Sequence, residues 1–242
     1  MPRYFLEVAY KGTNYNGFQI QQNANTIQAE VEKALQTLFK ESFELTGSSR
    51  TDAGVHALQN FFHFDTHIEI ASNKIYNLNA ILPNDIIAKS IYKVASDKHC
   101  RFAAEGREYK YFIYTKKNPF LQDRAYFFPY TLNTNLLHEA AAILLTHTDF
   151  TSFSKKHTQV NNFNCNISIA KWIVENDCLV FNVKANRFLR GMVRALVATM
   201  LKVGRGQISI EDFKQIIAAK DCSKAYFDTP AHGLFLVKVD YE

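Results

Sequence analysis

The residues best suited to chemistry in this 242-residue chain lie in the stretch Gly47 to His56, which reads GSSRTDAGVH. It sets a cation, Arg50, and a carboxylate, Asp52, two positions apart in a loop between two segments that read as strands. A carboxylate can attack an electrophilic carbon or accept a proton, and loops mounted on a rigid sheet often carry such groups. The same residues also suit an ordinary turn, with Asp52 accepting backbone hydrogen bonds and Gly54 supplying a positive φ. With a second acid, for example Glu105 or Asp85, Asp52 would have the minimum equipment of a glycoside hydrolase, although no motif marks that pair. A second feature is cationic. Arg187, Arg190 and Arg194 are spaced by three and four, on one side of a helix expected over Arg187 to Val203 whose Leu189, Met192, Val193, Leu196 and Met200 face the core. Lys202 and Arg205 extend the charge. Such a stripe is either a solvated face or a row of phosphate contacts.

Composition narrows the field. Basic residues outnumber acidic ones by 28 to 23, a net charge of +5, which suits a polyanionic partner without requiring one. No apolar run is long enough for a membrane span, and Met1 to Tyr10 lacks the build of a signal peptide, so the expected location is the cytoplasm. The cysteines Cys100, Cys165, Cys178 and Cys222 lie far apart without a CxxC pair and read as free thiols. His63 and His67 are four apart but fall on a strand and its exit, so no metal site is expected. Neither a dinucleotide-binding loop nor a phosphate-binding loop is present.

The elements that must position the loop follow from periodicity. Arg3 to Tyr10 alternates as a strand. A polar loop leads to a helix with Asn25 as N-cap and Gln28 as its capping-box partner, carrying Ile27, Val31, Leu35 and Leu38 on one face through about Phe39. A strand near Phe43 to Thr46 and a longer one, Val55 to Asp65, flank the loop. A short helix, Asn73 to Leu82, and a strand, Asp85 to Ala95, close a first subdomain, 1–103, that carries the Asp52 loop. The second, 104–242, has a strand from Arg107 to Thr115, a helix near Asn135 to Leu145, and a hairpin from Ile167 to Lys184 turning at Glu175-Asn176-Asp177. The Arg187 to Val203 helix, another begun by Ser209 with Asp212, and a last strand, Gly233 to Tyr241, complete it. This mixed order suggests an α+β chain of two similar subdomains.

From Arg50 to His56 the loop resembles the signature of the bacterial tRNA pseudouridine synthase A family. Further matches follow in order along the chain: Tyr10-Lys11-Gly12, Tyr15 to Gln19, Asn79 to Pro83, Arg101-Phe102, Arg107 to Tyr111, Asp149 to Phe153, Met192-Val193-Arg194, and Thr229 to Leu234. The resemblance implies the pseudouridine synthase fold: two similar subdomains around a central mixed, mainly antiparallel sheet, helices on one side and a basic active-site cleft. It implies that the second subdomain completes that cleft. It also implies a reaction in which the bond from uracil N1 to ribose C1′ breaks, the base turns, C1′ joins C5 and the C5 proton leaves, with no cofactor. Asp52 then corresponds to the nucleophile, Arg194 to a cation that favours its charged form, and Tyr109 to the tyrosine beside the target base. An ordinary phenol, titrating near ~10, is a weak base unless tuned. Leu234 corresponds to an apolar residue against the base plane. Arg50 would fill the space left by the extruded nucleotide, where a guanidinium can stack as well as bind phosphate. Lys98, His99, Arg101 and Phe102, with Arg187 and Arg190, are the expected RNA contacts. The implied partner is tRNA, held at its anticodon stem-loop and elbow by a homodimer and modified at positions 38, 39 or 40. The alternative is a non-catalytic RNA-binding or RNA-folding protein of the same fold.

The chain departs from the family pattern at Ser49, where glycine is usual, at Phe18 for tryptophan, at Arg190-Gly191 for a histidine pair, at Ala195 for asparagine, and across His157 to Cys165. These touch RNA contact and loop flexibility rather than the nucleophile.

Overall fold

The structure of the chain, a computed structural model, describes residues 1–156 and 160–241. Its strands are β1 (Arg3–Tyr10), β2 (Thr46–Gly47), β3 (His56–Asp65), β4 (Ile86–Val94), β5 (Gly106–Tyr114), β6 (Tyr126–Phe127), β7 (Ile167–Glu175), β8 (Cys178–Ala185) and β9 (Leu234–Asp240). The helices are α1 (Ile27–Phe39), α2 (Lys74–Ile81), α3 (Thr134–Leu144), α4 (Met192–Gly204) and α5 (Ile210–Ala218). The chain is therefore α+β with mainly antiparallel strand pairs. Among the described residues no helix is long and apolar enough to cross a membrane.

Two compact units form: Met1–Glu105 together with the chain from Phe235 on, and Gly106–Leu234. The sequence reading closes its first half near 103 and assigns the last strand to the second. Instead β9 pairs in parallel with β3, His56 opposite Phe235 and Ala57 opposite Leu236, and the Val239 N–H donates to the Gln59 side chain at 3.0 Å. Parallel pairing over such a sequence distance leaves no local signal in the chain.

In the first unit the strands run in the order β4-β1-β3-β9, with β2 also on β3. The central β1 buries Tyr4, Leu6, Val8 and Tyr10 on one face; on the other Phe5 is buried while Arg3, Glu7 and Ala9 are half-buried. The N-cap of α1 is Thr26, whose side chain accepts the Ala29 N–H, and not Asn25. Gln28 closes no capping box: its amide donates to the Leu45 carbonyl and to Glu32. The preceding loop accounts for the shift, because the Gly17 and Phe18 carbonyls take the Ile27 and Gln28 N–H groups.

In the second unit β8 lies between β5 and β7, antiparallel to both, and β6 adds to β5 in parallel. The β7–β8 hairpin turns on Asn176 and Asp177, both at positive φ (49° and 61°), the geometry of a type I′ turn. The capping box of α5 forms as the Ser209/Asp212 spacing predicts. α4 differs from expectation: it starts at Met192, not near Arg187. Gly191, at φ 75°, caps it, and a left-handed residue there stops helical hydrogen bonding from reaching back to Arg187. Only Arg194 and Lys202 escape full burial on this helix, so it is a core helix rather than an amphipathic one with a basic face.

Candidate active site

The Asp52 loop is built from three directions, all within the first unit. From below, the buried Asn60 of β3 donates to the Ser49 carbonyl (2.9 Å) and the Tyr10 hydroxyl (3.1 Å). Its own carbonyl receives the Ser48 hydroxyl at 3.2 Å and the Phe61 N–H at 2.9 Å. From β1, the Tyr10 hydroxyl lies 2.7 Å from that of Thr51. From the side, the 11–18 loop clasps the turn: the Phe18 N–H donates to the Thr51 carbonyl (3.1 Å) and the Gly54 N–H to the Tyr15 carbonyl (3.4 Å). A Val55 N–H to Asp52 carbonyl bond of 3.2 Å closes the turn itself.

Glycine at 12 is a packing requirement, since a Cβ there would stand 2.0 Å from the Val55 carbonyl oxygen. The Gly12 N–H donates to His56 Nδ1 at 3.0 Å, which places that ring's proton on Nε2. The result is an anchored backbone that carries a half-buried Asp52 and an exposed Arg50. The turn reading and the reactive-loop reading of these residues are thus compatible. Phe18, in place of tryptophan, is buried and stacks on Phe62 at 4.5 Å between centroids.

Asp85, the acid a hydrolase would need, is engaged otherwise. It accepts the Tyr15 hydroxyl and the Asn14 amide, and its carbonyl takes the Lys11 N–H at 2.9 Å. Burial, then the bond to Asp85, pushes the Tyr15 phenol up. Asp85 therefore fastens the loop that clasps Asp52. Glu105 is exposed, with its N–H on the Asp240 carbonyl.

Tyr109, Arg194 and Leu234 belong to the second unit. Tyr109, half-buried on β5, meets Phe188 edge-on at 5.1 Å. Arg194, in the first turn of α4, donates through Nε and Nη2 to the Thr229 carbonyl (2.9 and 2.6 Å), and the Thr229 hydroxyl donates back to the Arg194 carbonyl (2.8 Å). The Tyr111 hydroxyl donates to the Pro230 carbonyl at 2.8 Å, and burial pushes that phenol up. Gly233 packs directly on the Tyr111 ring; a Cβ there would stand 2.7 Å from its Cζ. Thr229 to Gly233 is thus a fixed turn that delivers Leu234, buried, into β9. Tyr111 and Thr229 were missed as positioning residues: a tyrosine alternating with apolar neighbours reads as core, and a lone threonine carries no signal.

A family model described as tRNA pseudouridine synthase matches residues 7–103 and 140–242. The chain belongs to that family. It is 45% identical over 243 residues to the tRNA pseudouridine synthase A of Parabacteroides distasonis, covering 100% of this chain and 96% of the relative. The protein of the same name from Anoxybacillus flavithermus is 40% identical, covering 100% of both, and that of Staphylococcus aureus strain JH1 is 37% identical, covering 98% and 90%. Membership makes the chain an isomerase acting on tRNA uridine, which sets aside the non-catalytic and hydrolase readings.

The expected RNA contacts separate into two groups. In the first unit Lys98, Arg101 and Phe102 are exposed and His99 is half-buried. His99 lies 4.3 Å from the Phe102 ring between centroids, and the Arg101 guanidinium lies 5.8 Å from that ring. In the second, Arg187 and Arg190 precede α4 in a loop held by Asn186 and Lys155, whose N–H donates to the Arg190 carbonyl at 3.0 Å. They do not share a helix face with Arg194, because the Gly191 cap intervenes. Arg205 packs over Tyr130 at 3.9 Å. Of the His157 to Cys165 segment, His157 to Gln159 lie outside the described residues.

Proposed function

We propose that this tRNA pseudouridine synthase acts on the anticodon stem-loop at positions 38 to 40, with Asp52 as the nucleophile that breaks the glycosidic bond. The observation that supports the reading is the anchoring of the 48–55 loop: its backbone is tied to β1, β3 and the 11–18 loop, while Asp52 is only half-buried. A held carboxylate reaching a ribose carbon gains most of its advantage from orientation. In this reading Arg50 occupies the gap left by the flipped nucleotide, and Tyr109 lies beside the uracil. Arg194 is the cation that accompanies the Asp52 carboxylate and Leu234 supports the base plane; the bond from the carboxylate to C1′ breaks as C5 joins C1′, and the C5 proton then leaves. Lys98, His99, Arg101, Phe102, Arg187 and Arg190 contact phosphates and the elbow. The enzyme works in the cytoplasm as a homodimer that one tRNA spans.

The test is Asp52→Asn assayed on unmodified tRNA. We expect pseudouridine formation to vanish while tRNA binding persists, since charge is removed at nearly constant shape. Measurable product from the variant, or a matching loss of binding, would overturn the assignment.

A further inference from the structure

We propose that His63, His99 and Cys100 form a binding site for a zinc-class divalent cation, which fastens the 98–102 turn to β3. Their ligand atoms all lie within 4.8 Å of one another. Cys100 Sγ is 3.1 Å from His63 Nδ1, and the two imidazole rings meet edge-on with centroids 4.5 Å apart. Two imidazoles and a thiolate are the nitrogen and sulfur set that zinc prefers over harder cations. Bonds of about 2.0–2.3 Å in a tetrahedral site separate ligand atoms by roughly 3.3–3.8 Å, so the bound of 4.8 Å leaves an inward move of at most about 1.5 Å, which falls to His99. That residue is free to make it in one respect: it is half-buried, whereas His63 and Cys100 are buried.

The protons balance simply. The Cys100 thiol gives its proton to solvent as the sulfur–metal bond forms. His99 now accepts the Arg101 N–H at Nδ1 (3.1 Å); coordination through Nε2 moves the ring proton to Nδ1 and exchanges that contact for the metal bond. A water completes the fourth position. The charged side chains that act on the two imidazoles are Arg3, paired with Asp65 (2.7 and 2.8 Å), and Arg101; the thiolate is the negative charge the cation meets directly.

The surroundings explain what such a cation would do. The turn is already tied to the sheet: Arg3 donates to the Lys98 carbonyl (3.1 Å) and Tyr241 to the Cys100 carbonyl (2.7 Å). The bond from the Cys100 thiol to the Thr46 carbonyl (3.1 Å) goes with the thiol proton, and a metal bond at His63 Nδ1 replaces the contact there from the Cys100 N–H (3.4 Å). A metal bridge would make the turn rigid. It carries the exposed Lys98, Arg101 and Phe102, so the cation would set the geometry of that surface in advance of any ligand.

The experiment is a cobalt titration of the full-length chain after dialysis against a chelator, read by thiolate-to-cobalt charge-transfer absorption and reversed with zinc. We expect saturation at about one cation per chain, loss of the band in Cys100→Ala, at least tenfold weaker binding in His99→Ala, and no change in Cys222→Ala. Circular dichroism checks that each variant is folded. Absence of a thiolate band in the native chain, or its persistence in Cys100→Ala, overturns the proposal. Should Cys100→Ala unfold, the decision passes to His99→Ala, in which unweakened cobalt binding overturns it equally.

Discussion

The anchoring of Asp52 can be tested one bond away from the carboxylate, by Tyr10→Phe. Tyr10 is 5% exposed; its hydroxyl lies 2.7 Å from Thr51 Oγ1 and accepts the Asn60 amide at 3.1 Å. A neutral hydrogen bond contributes about 1 kcal/mol net, and a buried partner left short of one raises the cost to about 1–3 kcal/mol. Asn60 keeps its bond to the Ser49 carbonyl, so the lower half of that range applies to stability. Thr51 immediately precedes Asp52, and a loop that samples displaced positions slows a step that depends on orientation. If about 1.4 kcal/mol of the loss falls on the transition state, the single-turnover rate drops about tenfold. Affinity for tRNA should stay within about twofold, because no RNA-facing group is removed. Thr51→Val removes the partner hydroxyl, and the two changes together should couple by about 1 kcal/mol in a double-mutant cycle. Urea unfolding and single-turnover pseudouridine formation are the assays. A variant that loses stability yet turns over at the native rate would refute the claim that this bond positions Asp52.

Gly233→Ala should cost about 1–3 kcal/mol in urea unfolding, because its Cβ meets a Tyr111 ring that is fully buried and held through its hydroxyl. Asp177→Gly should raise the melting temperature, with a gain of about 0.5–1 kcal/mol, since a type I′ turn favours glycine at φ 61°. Burial would push the Asp149 carboxyl up, but hydrogen bonds from Thr151 and Lys220 outweigh it and hold the group below the ordinary aspartate range. Its stabilisation is therefore present above about pH 4 and is lost as pH falls through its lowered value. Asp149→Asn should cost about 1 kcal/mol or less at neutral pH after screening, and should flatten the acid limb of stability measured by urea unfolding.

Much of the site was legible in the chain because its signals are local. The Gly47 to His56 stretch lies between strands as expected, since a run of aromatic and β-branched residues after Gly54 has few alternatives to extension. The α5 capping box and the β7–β8 turn also depend on residues adjacent in sequence. Where local cues competed, the distant partner decided. Thr26 rather than Asn25 caps α1 because the 11–18 loop claims the helix's first N–H groups. The three arginines keep their helical spacing on paper only, because Gly191 adopts positive φ against Lys155. Asp85 reads as a spare acid until Tyr15 folds onto it. His63 gives no metal signal beside His67, yet the antiparallel pairing of β1 with β3 and β4, followed by the turn after β4, brings it against His99 and Cys100. Residue types and short spacings thus determined the reactive loop and the elements that flank it. Which groups meet across strands, and which side chains hold that loop still, was decided by long-range pairing and packing, whose energetics are invisible to any window of neighbouring residues.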